Sequence, residues 1–383
     1  MSFPALAGLA ALTVALAQIF GAPASAGQAA CTPDFPLKDG WLGGDGVYSV
    51  PLSDTDSLWL FGDSFVGDPD TQNRKDAALV SNSIALSRCT GGAWSITYHW
   101  EQRGPAHRAF FDPEDADAQS GQAPGAVRYW PLEGLLRDGI LTLFMMRVET
   151  VEAGNPFGFA ITGTDLIRIG NPTAPPHAWD MRIHPVGRRA ALTGSGLVTG
   201  GDHLILATSL EKAGSHPVIL TRLPFDRLDD PGTALETLTG PKVWTRGLDL
   251  EKGRKVVDQA SSELSLHRLP DDRRLLMVHM DPEPFSSRIV HRTAPAVEGP
   301  WSPMRPLFTI PDARTRGTGT VFCYAGKAHG QFDRTDGDGP SVLLTYACNS
   351  TDFTQLLENT DLYRPKTVRI PLPAPQAKPQ ATR

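Results

Sequence analysis

Convincing amphipathic helices are nearly absent from Trp41 onward in this 383-residue chain. A helical bundle and an alternating α/β fold are therefore not expected. Basic charge is also short: 36 Lys and Arg stand against 42 Asp and Glu, a net charge of −6. A nucleic-acid surface needs a basic patch, and none is visible. No His-x-x-x-His pattern occurs, and the four cysteines lack zinc-site spacing, so no metal and no cofactor are expected. The apolar run Leu6–Phe20 is short for a membrane span of ~20 residues, and Gln18 and Pro23 interrupt the region.

What is present points elsewhere. The 37 glycines and 33 prolines are spread along the chain, which suits many short strands joined by turns. Residues 1–26 read as a secretory signal peptide, with Ala24-Ser25-Ala26 as the cleavage site, although the leading residues hold no Lys or Arg. Gln28 stands where a lipoprotein signal would have Leu, so a secreted or periplasmic protein is expected, with no membrane span after cleavage. Cys31, Cys89, Cys323 and Cys348 then remain, an even count that favours disulfides. Four cysteines allow three connectivities; Cys31–Cys89 and Cys323–Cys348 join segments expected to be neighbours. Four buried thiols are the alternative.

Apolar strands recur between turn signals, from Leu58–Phe61 and Ser83–Ser87 through to Val342–Cys348 and Thr367–Pro371. Phe157–Ile161 and Asp165–Ile169 read as two of them. A Trp follows a turn three times, at Trp94, Trp244 and Trp301. Such an echo suggests one β-unit repeated, as in a propeller. The expectation is an all-β, five-bladed β-propeller with four-stranded antiparallel blades. It would form one domain over residues 31–372, followed by a disordered tail, 373–383. A β-sandwich is the alternative, but it leaves the Trp turns unexplained. A monomer is expected.

The stretch Gly43–Gly67 is the most informative. Leu58-Trp59-Leu60-Phe61 is a strongly apolar strand that ends in Gly62-Asp63-Ser64. A carboxylate after four large apolar residues must be hydrogen-bonded or lie at the mouth of a pocket, because burying an unpaired charge is costly. Asp45 precedes it, and a hairpin would bring both carboxylates to one end of one sheet. The plainer alternative makes Asp45 a turn acid and Asp63 a loop cap. In a propeller the innermost strands line a central funnel. Asn82, Trp130, Glu263, His329 and Tyr346 are the further polar or aromatic candidates there, as substrate-binding residues. Two carboxylates around one pocket are what glycoside hydrolysis requires, and Trp130 suits a sugar face.

The run GGDGVYSV…LWLFGDSF resembles the start of a group of exported five-bladed propellers that includes the endo-D-arabinanases of glycoside hydrolase family 183. Tyr129-Trp130-Pro131, Glu298-Gly299-Pro300-Trp301-Ser302, Tyr324-Ala325-Gly326-Lys327-Ala328-His329 and Leu362-Tyr363-Arg364-Pro365 extend the resemblance. It implies a polysaccharide substrate of the arabinan type, with two acids of the first blade, here Asp45 and Asp63, as the catalytic pair. More distant arabinanase-like propellers use three acids, which by analogy makes Glu263 a third.

Two rivals remain. A non-catalytic glycan- or protein-binding propeller would keep the fold without needing both acids. Phe61-Gly62-Asp63-Ser64-Phe65 also mimics the nucleophile block of SGNH-type esterases, with Ser64 as nucleophile. That chemistry needs a base within hydrogen-bond reach, supplied in that family by Asp-x-x-His. None of the ten histidines here has Asp three residues before it.

Overall fold

The strand Asp56–Phe61 is buried from Ser57 onward on both faces, which explains its unbroken apolar run. It pairs antiparallel with Tyr48–Pro51 on one side and Ser83–Thr90 on the other, and Ala93–His99 completes the sheet. This is the first of five larger sheets among the residues that a computed structural model describes: 26–113, 127–151, 158–212, 215–270, 274–311, 320–336 and 339–372. The expected signal peptide, apart from Ala26, and the expected tail 373–383 lie outside the described residues.

The protein is all-β with antiparallel sheets that follow one another in chain order. The second sheet is Val127–Arg137, Ile140–Thr150, Phe159–Ile169 and Met181–Gly187. The third opens with Ala191–Gly200, the fourth with Leu264–Arg268 and the fifth with Val321–Ala328. From Tyr48–Pro51 onward, the first strand of each sheet packs against the first strand of the next. The fifth sheet meets the first again, where Ser49 Oγ lies 2.6 Å from His329 Nδ1 and Thr367 Oγ1 donates to Pro33 O at 2.8 Å.

Two expectations are corrected. The first, second, fourth and fifth sheets have four strands, but the third has six, because Val218–Pro224 pairs with both Glu236–Gly240 and Lys255–Val257. In the fifth, Val321–Ala328 and Arg334–Asp336 share one flank of Gly339–Ser350, and Lys366–Pro371 takes the other. Asp165–Ile169 is not a separate strand: Phe159–Ile169 is continuous through Gly163, with a bulge at Thr162; Phe157 lies outside the described residues. A Cβ at Gly163 would lie 2.3 Å from Gly187 O, so the glycine permits close approach of backbone rather than a turn.

The disulfides are Cys31–Cys89 and Cys323–Cys348. The first ties the N-terminal segment to the first sheet. The second joins facing strands of the fifth.

Candidate functional site: a pair of half-buried carboxylates

Two short pairings meet at the acids. Trp41–Gly44 pairs with Ser64–Val66, with Gly44 opposite Ser64. Tyr48–Pro51 pairs with Asp56–Phe61, with Tyr48 opposite Leu60. Asp45 and Asp63 occupy the crossing between these pairings, so they stand at the junction of two sheets and not at the end of one. The Asp45 amide donates to Asp63 O at 3.3 Å, and the Gly62 amide donates to Asp45 O at 2.8 Å. A Cβ at Gly62 would lie 2.4 Å from Asp45 Oδ1. Glycine is therefore required there, because the carboxylate lies over its Cα.

Both side chains are half-buried. Tyr324, from the first strand of the fifth sheet, donates its hydroxyl to Asp45 Oδ2. Trp130, from the first strand of the second sheet, donates Nε1–H to Asp63 Oδ1 at 2.7 Å. The Trp130 ring is fixed edge-on against Phe159, with centroids 4.6 Å apart, and the Arg128 guanidinium lies 5.9 Å from it. Burial, and next the charge of Asp63, push the Asp45 carboxyl up to about 7, while the Tyr324 hydroxyl pulls it back. Burial pushes Asp63 up to about 6, against the Trp130 N–H and the Arg128 charge. As neighbours the two titrate together.

Glu263 stands beside them at the foot of the fourth sheet. A Cβ at Gly46 would lie 4.0 Å from Glu263 Oε2. The Glu263 carboxylate pairs with the buried Lys327 ammonium, which also lies 4.3 Å from the centre of the Tyr48 ring. A cavity of about 370 Å³ opens between the fourth and fifth sheets, lined by Glu263 and Tyr324 among others. A second, of about 500 Å³, is lined by Glu133, His267, Lys327 and His329. Burial pushes Glu133 up to about 7. A larger cavity, about 1090 Å³, lies along the second sheet; none of the three has Asp45 or Asp63 in its lining.

The other candidates lie elsewhere. The Asn82 amide donates to Phe111 O at 2.8 Å and Tyr129 O at 3.0 Å and accepts from the Phe111 amide at 2.7 Å. Asn82 is thus fully committed to main chain, holding the segment that bears Trp130. His329 is buried between Ser49 Oγ and Thr345 Oγ1, which is 2.7 Å from its Nε2, and burial pushes it down to about 3. Tyr346 is buried in an apolar cluster, with its ring centroid 6.0 Å from that of Phe308. It neighbours Thr345 on one strand, so it points to the opposite face of the sheet. Ser64 is fully buried; its hydroxyl donates to Gly62 O at 2.8 Å and meets Ser83 Oγ at 2.8 Å, as a structural serine would.

Sequence reasoning missed Tyr324, Arg128, Lys327, Glu133 and Tyr363, whose hydroxyl also hydrogen-bonds the Asp45 carboxyl. Tyr324 and Lys327 lie in the run ending at His329, and Tyr363 lies in Leu362-Tyr363-Arg364-Pro365. These three were visible as parts of motifs but not as side chains beside an acid.

Residues 35–372 match the profile of a family described as "Domain of unknown function (DUF5005)". Among solved structures, a Bacteroides ovatus protein provisionally described as a hydrolase aligns over 87% of this chain and 86% of its own, at 18% identity and a TM-score of 0.66. That likeness is one of fold. An endo-arabinase from Bacteroides thetaiotaomicron aligns over 90% of this chain and 100% of its own, at 14% identity and a TM-score of 0.42. An α-L-arabinanase from Cellvibrio cellulosa aligns over 85% and 91%, at 13% identity and a TM-score of 0.38. No curated protein matches the sequence.

Proposed function

The chain belongs to the family described as Domain of unknown function (DUF5005), and on that premise we propose that it is an exported glycoside hydrolase. The five larger sheets are the blades of a five-bladed propeller, closed by the contact of the fifth with the first. The substrate is an arabinan-type cell-wall polysaccharide, as the resemblance to endo-D-arabinanases implies. The observation that carries the reading is the pair itself. Asp45 and Asp63 are half-buried, adjacent, and held by neutral donors, with both carboxyls raised toward neutrality.

The roles follow from the surroundings. Asp45 is the more strongly raised and faces the charges of Asp63 and Glu263. It keeps a proton and acts as general acid, passing it to the leaving glycosidic oxygen. Asp63 lies beside Arg128 and accepts from Trp130, which favour its ionised form. It activates water or attacks the anomeric carbon directly. Glu263 contributes a third carboxylate at the same mouth, and Asn82 positions the Trp130 segment from behind.

Purified protein incubated with arabinans, arabinogalactan and other cell-wall glycans is expected to release oligosaccharides. Asp45→Asn and Asp63→Asn should abolish release while leaving the fold intact. Undiminished release by either variant removes that residue from the chemistry. Retained glycan binding with no release by the wild type would make the protein a binding propeller.

A further inference from the structure

The turn between Leu275–Met280 and Arg288–Ala294 presents one aromatic ring to solvent in the cavity that Glu263 and Tyr324 line. Phe285 is 75% exposed and has φ 57°, a left-handed backbone that a bulky residue rarely adopts. The turn is held rather than loose. The Asp281 amide donates to Arg288 O at 2.9 Å, and the Glu283 amide donates to Asp281 Oδ1 at 3.1 Å. Arg288 Nη2 pairs with Asp281 Oδ2 at 2.5 Å. A strained residue in an over-determined turn, with an apolar ring in water, is an outlier that calls for a task.

The cavity of about 370 Å³ joins this ring to Tyr324 and Glu263, the residues nearest the acid pair in its lining. Its lining includes Phe285, Phe322, Tyr324, Glu263, Asp281 and Glu283. Phe322 and Tyr324 are stacked, with centroids 5.7 Å apart at 28°, and the Tyr324 hydroxyl is the one held by Asp45. Aromatic rings therefore run from the pair outward. Among the described residues the lining carries three carboxylates and no Lys or Arg. Their cationic partners Lys327 and Arg288 are outside it. Carboxylate oxygens accept hydrogen bonds from sugar hydroxyls and repel uronic or phosphorylated sugars.

We infer that this cleft seats one arm of an uncharged polysaccharide, with Phe285 stacked on a sugar ring at the outer end and Phe322 nearer the scissile bond. The inference rests on the reading of Asp45 and Asp63 as glycan-cleaving acids. It adds the path of the chain.

The test measures binding and hydrolysis separately, on the full chain. Calorimetry with wild type, Phe285→Ala and Phe285→Trp would use neutral arabino- and xylo-oligosaccharides, short and long, and oligogalacturonides. Loss of one stacked ring is expected to weaken binding of the long neutral chains about fivefold to tenfold. Short chains that do not reach Phe285 should bind unchanged, and Phe285→Trp should restore the loss. Oligogalacturonides should bind more weakly than neutral chains of equal length at low salt, and the gap should narrow as salt rises. Phe353→Ala, which removes an exposed ring elsewhere, is the control and should change nothing. Equal binding of long chains by wild type and Phe285→Ala overturns the inference. So does preference for oligogalacturonides, or failure of the wild type to bind any of these chains. Phe285-dependent binding with no hydrolysis would sink the catalytic reading and leave the cleft standing. Hydrolysis indifferent to Phe285 would do the reverse.

Discussion

Asp165 and the Asp45–Asp63 pair are carboxylates taken out of bulk water in one molecule, and they are treated in opposite ways. Asp165 is fully buried on the second sheet. It accepts from Tyr129 Oη at 2.6 Å, Arg147 Nη1 at 3.1 Å and Arg188 Nη1 at 2.5 Å. Two cations and a phenol saturate one anion, which binds the second sheet together. The pair has two phenols, Tyr324 and Tyr363, and an indole as its hydrogen-bonding side chains, and the charge of Asp63 raises the cost of ionising Asp45. Burial sets the problem for both. The charge of the partner decides whether the carboxylate is tied into the sheet by cations or left among neutral donors.

The contrast can be broken from either side. The largest effect is expected from Asp63→Asn and Asp45→Asn, each lowering the rate of glycan release by about 10²–10⁴-fold, with an unchanged circular dichroism spectrum. Asp165→Ala should act the other way. It takes the Asp165 carboxylate from the buried Arg147 and should cost about 3–5 kcal/mol of stability in urea unfolding. The kcat/KM per folded molecule should hardly move. If Asp165→Ala abolished activity in fully folded protein, the division of labour drawn here would fail.

A third effect is a pH dependence of stability with a definite sign. The Asp45 carboxyl lies near 3.8 in an unfolded chain and is raised to about 7 in the fold. Between those values the folded state holds a proton that the unfolded state has released. The stability that this proton contributes is fully present below the lower value, and it is lost as pH rises through the upper one. Denaturant midpoints of the wild type should therefore fall from about pH 4 to about pH 7, and Asp45→Asn should flatten that slope. The smallest effect is expected from Tyr324→Phe. Its hydroxyl lowers the Asp45 value, so its loss should move the alkaline limb of the pH–rate profile upward. A downward move would show that Tyr324 does not stabilise the ionised acid.

The abrupt carboxylate was legible for a local reason, although its place at the junction of two sheets was not. Leu58–Phe61 followed at once by Gly62-Asp63 places a charge where the apolar pattern stops, and no distant residue is needed to see it. The β character was legible in the same way, from alternation and turns. Deeper facts depended on distance along the chain. Tyr324 reaches Asp45 across 279 residues, and only the return of the fifth sheet to the first brings it there. His329 and Tyr346 both look like inward polar groups in the sequence. Strand register gives the first to Ser49 and Thr345 and turns the second into an apolar cluster. Gly163 has the signature of a turn, and only the backbone of the neighbouring strand reveals a close approach.

The sequence by itself thus determined the strands, the turns and the abrupt carboxylates, because propensity, alternation and turn chemistry act within a few residues. The tertiary structure alone decided which acids meet neutral donors and which meet guanidinium groups. Desolvation and Coulomb energy depend on separation in space, and sheet packing sets that separation between residues hundreds of positions apart.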